Sequence, residues 1–467
     1  VQPVTHVAGR DAAAPVTTGD APSKPAEPVV TAASTDEPRA ANSVWVGAAA
    51  ESEVLLARGG DSVMGVWVDV PSSLHTRFHA PVDLALVIDT SGSMEGEKIK
   101  AARASARTLI ERLSDGDVVS IDSFDDRARV LLPPTVLSPA TRQRALSTIA
   151  ELKADGSTNL AEGLQLAEGQ IAGAPADHPV RRVVLISDGR ANVGLSSPAS
   201  LAQIASEATR FGAQVTSLGV GLDYDESTLN AIAERTSGRL FHVGDPREMQ
   251  ATLDHEIDLL SSTVASEATL EVVPAPGVQI VGVDGSHFDW AGRGAADIPI
   301  GALFPGQHRE ALVHVRVDPS AAGTQRVLAS VRLKFHDPME GGVERVQEVL
   351  ARISTSDDTA AVAMHANQKT HAMMAIFEAA KTEIQAAQAM SAGNFAEAQT
   401  QLAGVEESLR AQAAATTDAS ARARLAHVAQ SVAGGRAAAA AAPRAAPSAV
   451  RGDALDLNKA AMGQMGY

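Results

Sequence analysis

Cysteine is absent from all 467 residues, which excludes thiol catalysis, thiolate metal ligation and disulfide cross-links together, while saying little about compartment. No apolar run approaches the roughly 18 residues that a membrane-spanning helix needs. Positive charge is in short supply, with 39 Lys and Arg against 56 Asp and Glu and a formal net charge of −17. A basic face is the usual footprint of nucleic-acid binding, so the balance argues against a nucleic-acid partner and against adsorption to anionic lipid. Catalytic signatures are missing as well. No Gly-x-Ser-x-Gly elbow, P-loop, dinucleotide fingerprint or His-Glu-x-x-His sequence occurs, and the 13 histidines are scattered. No internal repeat indicates a solenoid.

What is present divides the chain by pattern. Residues 1–42 are rich in Ala, Pro, Thr, Asp and Glu with almost no periodicity, and are expected to be a disordered linker. The numbering opens on Val1 rather than Met, and with that composition the chain reads as secreted, periplasmic or attached to a bacterial cell surface after loss of a leader; a cytoplasmic chain is the alternative. Within 43–80, the pieces Glu53–Arg58 and Ser62–Val70 alternate as strands do.

Over 81–262 short apolar strands alternate with amphipathic helices, the pattern of a doubly wound, mostly parallel α/β sheet. The strands read as Val82–Ile88, Val118–Phe124, Arg129–Leu132, Val183–Ile186, Val215–Val220 and Leu240–Val243. Helical stretches fall near 97–113, 139–152, 160–172, 198–211, 226–236 and 246–261. Asp225 with Glu226 reads as a helix N-terminal cap and Asp125-Asp126 as a solvated turn. From 263 to 356 the period drops to two, with Val313, Val315 and Val317 on one face and Val327 to Phe335 repeating the alternation. This is an antiparallel β-sandwich that should also take the strands of 43–80, because neither piece makes a stable pair of sheets alone. Residues 357–434 are expected to form a helical hairpin. Met364, Met373, Met374, Ile376, Phe377 and Ile384 line its first apolar side, and Phe395, Leu402 and Leu409 its second, after a turn at Gly393-Asn394. Residues 435–467 read as a low-complexity tail, in which Arg451-Gly452-Asp453 matches an integrin-recognition tripeptide by chance.

The chemistry concentrates in Leu86-Val-Ile-Asp89-Thr-Ser91-Gly-Ser93-Met94, which sets Asp-x-Ser-x-Ser directly after a buried strand. In open α/β folds ligands bind at that carboxyl edge of the sheet. Gly156-Ser-Thr158-Asn-Leu160, entering a helix, and Leu185-Ile-Ser-Asp188-Gly189, after the next apolar strand, end at the same edge. Asp89, Ser91, Ser93, Thr158 and Asp188 thus supply two carboxylates and three hydroxyls, all oxygen. Such a set suits Mg²⁺, with Mn²⁺ a ready substitute and Ca²⁺ ranked lower.

These residues resemble the von Willebrand factor type A (VWA) family and its metal-ion-dependent adhesion site (MIDAS). Asp89, Ser91 and Ser93 match the first motif, Thr158 the second and Asp188 the third, and the flanking text is similar to the bacterial exported branch and to inter-alpha-trypsin inhibitor heavy chains. The resemblance implies that Ser91, Ser93 and Thr158 touch the metal while Asp89 and Asp188 act through bound water. Neutral hydroxyls leave such a cation under-neutralised, so it can take one carboxylate from a partner. The expected function is therefore metal-dependent protein binding, in adhesion or assembly, to a partner that presents Asp or Glu. An intracellular adaptor for an AAA+ ATPase is the alternative. No general base with a matching partner stands near the site, so the chain is not expected to be an enzyme.

Overall fold

The computed structural model describes residues 30–33, 44–74, 80–175, 177–188, 190–340 and 342–466. The chain opens with four strands, β1 (Val30–Ala33), β2 (Trp45–Ala50), β3 (Val54–Leu56) and β4 (Gly60–Asp69). The linker expected over 1–42 lies outside the described residues except at Val30–Ala33, which are a strand and not disordered.

The α/β part follows as β5 (Val82–Asp89), α1 (Glu97–Arg112), β6 (Val118–Phe124), β7 (Ala128–Val136), α2 (Pro139–Ala150), α3 (Leu160–Ile171), β8 (Val180–Ser187), α4 (Pro198–Ser206), β9 (Ala213–Val220), α5 (Glu226–Thr236), β10 (Arg239–Val243) and α6 (Met249–Ser261). Its six strands lie in the order β10-β9-β8-β5-β6-β7, parallel except for β7 against β6. Every residue of β5 is buried, because helices cover both faces. Leu84, Leu86 and Ile88 pack with Ile99, Leu109 and Ile257 on one side. Ala85 and Val87 pack with Leu160, Leu164 and Ile232 on the other. Helix starts are written locally. Ser138 forms a capping box with Thr141, Asn159 caps α3, Ser197 caps α4, and Asp225 takes the amides of Ser227 and Thr228 at the start of α5. Pro133 and Pro134 sit on β7, an edge strand, where a missing N–H costs no ladder bond and discourages pairing with another chain.

Beyond α6 come β11 (Ala265–Pro274), β12 (Val278–Asp284), β13 (Asp289–Trp290), β14 (Ala296–Leu303), β15 (His308–Val317), β16 (Gln325–Asp337) and β17 (Val343–Ser356). They form two sheets with the N-terminal strands. One runs β12-β15-β4-β2, and the other β1-β17-β16-β11-β14-β13 with β3 beside β17. β4 and β15 are antiparallel from Asp69↔His308 to Gly60↔Val317. Val46, Met64, Val66, Val313 and Val315 from one sheet meet Leu270, Val331, Leu333 and Val349 from the other in a single core. The α/β sheet is thus inserted between strands of one sandwich. β2 has no strong signal of its own, since Gly47-Ala-Ala-Ala50 has poor strand propensity. Its ladder with β4 makes it a strand.

The C-terminal region is α7 (Thr359–Met364), α8 (Gln368–Ser391), α9 (Phe395–Ala415), α10 (Ala419–Ala441) and α11 (Pro447–Gln464). Two expectations need correction here. Residues 435–467 are not a loose tail, because α10 continues through the alanines to Ala441 and α11 follows. Alanine is the strongest helix former, and its small side chain lets helices approach closely. The expected hairpin is therefore a bundle of four long helices around Ile376, Met390, Leu402, Leu409, Leu425 and Val432. Met364 belongs to the short α7 and is 75% exposed, so it does not extend the apolar side of α8. Arg451, expected to be part of a chance tripeptide, donates to the carbonyls of Leu222 and Tyr224 and to the Glu226 carboxylate. It fastens α11 to the β9–α5 loop. Asn230 and Asn458 exchange amide bonds at 2.9 and 3.2 Å in the same contact. Among the described residues no helix is long and apolar enough to cross a membrane.

Candidate metal site

Three loops meet at the carboxyl edge of the central strands. The chain leaves β5 through Asp89-Thr-Ser-Gly-Ser93, and the segment before α3 is sewn to it by backbone bonds. Asp155 N donates to Thr90 O at 2.7 Å, and Gly92 N to Gly156 O at 2.9 Å. Gly156 has a φ of +81°, and a Cβ there would stand 3.1 Å from an Asp126 carboxylate oxygen, so glycine is needed on two counts. Asp126 accepts the Ser157 amide at 3.0 Å, and Asp125 O accepts the Asn159 amide at 2.8 Å. From the third loop, Asn192 accepts the Thr158 amide at 2.8 Å through its side chain, while its own amide donates to Thr158 O at 3.1 Å.

The side chains continue the connection. Asp89 Oδ1 accepts the Ser91 amide at 2.8 Å, and Oδ2 accepts the Ser187 hydroxyl at 2.6 Å. Ser91 and Ser93 Oγ are 3.0 Å apart, and Ser93 Oγ donates to Asp188 Oδ1 at 2.7 Å. The other Asp188 oxygen takes the Lys98 ammonium. Asp89, Ser91, Ser93 and Asp188 therefore belong to one connected group, and Thr158 is held at the same edge through its backbone. Asp89, Ser91, Thr158 and Asp188 are no more than 3% exposed, whereas Ser93 is open to solvent. The site thus has one accessible side.

Burial pushes the Asp89 carboxyl up to about 6, and the nearby Asp188 adds to that against the lowering bonds from Ser187 and Ser91. Two desolvated carboxylates side by side favour a cation between them. The donors are hydroxyl and carboxylate oxygens without nitrogen or sulfur, which fits Mg²⁺ by chemistry. Among the described residues no group of three or more His, Asp or Glu is arranged to hold a metal. His75 and His79, four residues apart, lie outside the described residues.

Lys98, Asp126 and Asn192 were not legible as members of the site. Asp125-Asp126 is more than a solvated turn, since it holds the Thr158 segment. For Lys98 a signal existed, because a lysine in the first turn of a helix opposes the macrodipole and calls for a compensating anion.

Residues 83–255 match the von Willebrand factor type A domain family. An uncharacterized protein of Synechocystis sp. is 28% identical over 280 residues, which are 58% of this chain and 65% of that protein. Inter-alpha-trypsin inhibitor heavy chain H4 of Bos taurus is 24% identical over 288 residues, 58% of this chain and 31% of that protein. The chain spans less than two thirds of the length of both relatives. Among solved structures, von Willebrand factor type A from Catenulispora acidiphila superposes with a TM-score of 0.70 at 19% identity, over 90% of this chain and 96% of that one. That likeness is one of fold, and its reach includes the sandwich and the helical bundle.

Proposed function

We propose that the chain is a metal-dependent binding module, because its residues 83–255 match the von Willebrand factor type A domain family, which commonly mediates protein–protein interaction. It takes an acidic side chain of a protein partner, in adhesion or assembly at the bacterial cell surface or in the periplasm. The observation that carries the reading is the connected group Asp89–Ser91–Ser93–Asp188 with Thr158 at the same sheet edge, open on the Ser93 side. In it Ser91, Ser93 and Thr158 would hold Mg²⁺ directly and Asp89 and Asp188 through water, and the bound cation would supply a Lewis-acidic position for the partner's carboxylate. The protein's own part is to keep the hydroxyls aimed by the loop ties and to leave the ion under-neutralised. The hydroxyls are read here as cation ligands, so the proposal is binding and not turnover.

Calorimetry with MgCl₂ on the wild type and Asp89→Ala tests it. Binding by the wild type and a loss of at least about 100-fold in the variant are expected, with the melting temperature without metal little changed because the site lies at the sheet's edge. Equal Mg²⁺ binding by both proteins would leave the domain a scaffold.

A further inference from the structure

We infer that Lys98 is a charge built into the site that weakens its hold on the divalent cation and strengthens the loaded site's hold on an anionic partner. This rests on the cation-site reading above. The observation is the division of Asp188 between two donors, the Ser93 hydroxyl on Oδ1 and the Lys98 ammonium on Oδ2. The Asp188 side chain is fully buried and that of Lys98 only 24% exposed, so solvent screens the pair poorly.

One local feature opposes a lysine here and another makes room for it. Lys98 stands in the first turn of α1, at the positive end of the helix dipole, behind the N-cap Gly96, which supplies no side-chain cap. Its stem runs beside Gly221 at the end of β9, where φ is +84° and a Cβ would come within 3.3 Å of Lys98 Cε. A turn without a side chain therefore leaves the ammonium room to reach Asp188.

The charge count gives the consequence. Asp89, Asp188 and Lys98 sum to −1, so a divalent cation brings the site to +1. Without Lys98 the loaded site would be neutral. The chain carries a net charge of −17, which repels acidic partners at long range, and a loaded site of +1 opposes that repulsion where the partner docks. The ammonium also repels the incoming cation. For a divalent and a univalent charge about 6 Å apart, even water-like screening leaves a factor of about ten in affinity. Cation and carboxylate then bind with positive coupling, since each relieves the charge imbalance left by the other.

The test uses the full chain. Mg²⁺ affinity is measured calorimetrically for wild type, Lys98→Met, Lys98→Gln and Lys98→Arg, with and without sodium acetate as the carboxylate probe at constant ionic strength. Met and Gln are expected to bind Mg²⁺ at least about tenfold more tightly than wild type and Arg within about threefold of it. Acetate should raise the apparent Mg²⁺ affinity of wild type and Arg more than that of Met and Gln. The Mg²⁺-induced rise in melting temperature should be largest for Met and Gln, which shows that they fold. Unchanged or weaker Mg²⁺ binding in both Met and Gln, with the wild type binding normally, overturns this inference alone. No Mg²⁺ binding by any of the four proteins overturns the cation-site reading and this inference with it.

Discussion

Asp89 at the sheet edge and the carboxylates Glu310 and Glu226 at the junctions between the three parts of the molecule are treated in opposite ways. At the junction of sandwich and helical bundle, Arg424 of α10 forks onto both oxygens of Glu310 at 2.7 and 2.6 Å, and His308 adds another bond. Burial pushes the Glu310 carboxyl up, but those bonds more than offset it and hold it at about 2. Burial also pushes Glu226 up, and Arg451 brings it below the usual range in the same way. At the sheet edge Asp89 is met by uncharged donors of Ser91 and Ser187, and burial pushes it up instead. A bidentate arginine neutralises a carboxylate permanently and fixes its direction. Hydroxyls orient one while leaving most of its charge for something else. The junctions are built to stay shut, whereas the edge leaves carboxylate charge for the cation proposed above. A raised pKa alone does not mark such a site. Asp122 on β6 is driven up to about 7 by burial, yet no donors converge on it and neither oxygen has a hydrogen-bond partner among the described residues.

Breaking the junction should have the largest effect. Arg424→Ala leaves Glu310 buried without its fork and should cost about 2–4 kcal/mol in chemical denaturation, whereas Asp89→Ala without metal should cost less than about 1 kcal/mol. A comparable loss in the two variants would erase the distinction. The junction also sets an acid limit. The Glu310 carboxyl is depressed in the fold, so its contribution is complete above the ordinary value of 4.5 and is lost as pH falls toward about 2. Melting curves of Glu310→Gln should therefore start lower at pH 7 and decline less than wild type between those values.

Asp122 sharpens the contrast in the other direction. Its carboxyl is raised in the fold, so the native state binds the extra proton and stability falls as pH rises from 3.8 toward about 7. Asp122→Asn should stabilise by roughly 2–3 kcal/mol at pH 7.5 and by close to nothing at pH 4; a gain independent of pH would mean that repacking, not charge, is responsible. The smallest effect belongs to a pair in neither class. Arg107 and Glu111 lie on the outside of α1 with side chains 65% and 44% exposed, and Arg107→Ala should change stability by less than about 0.5 kcal/mol.

Local sequence was enough for the α/β sheet and for placing Asp89, Ser91 and Ser93 in one loop at its edge. A run such as Val82–Asp89 is apolar on both faces only because helices cover both, and Ser138, Asn159, Ser197 and Asp225 write their helix starts within a few residues. Asp89, Ser91 and Ser93 are legible for the same reason, since one short loop carries all three, and Thr158 and Asp188 follow from the order of strands and loops. Only the tertiary structure decided what depends on partners far away in sequence. It made the alanines of β2 a strand, because β4 offers them a ladder. It turned Ala437–Ala441 and α11 into packed helices, because alanine helices with weak apolar faces need neighbours to bury them. It brought Lys98 to Asp188, Asp126 to Ser157 and Asn192 to Thr158 across spans of 90, 31 and 34 residues. A hydrogen bond or ion pair between distant residues leaves no period or spacing in the chain, so these contacts exist only once the sheet has set the loops side by side.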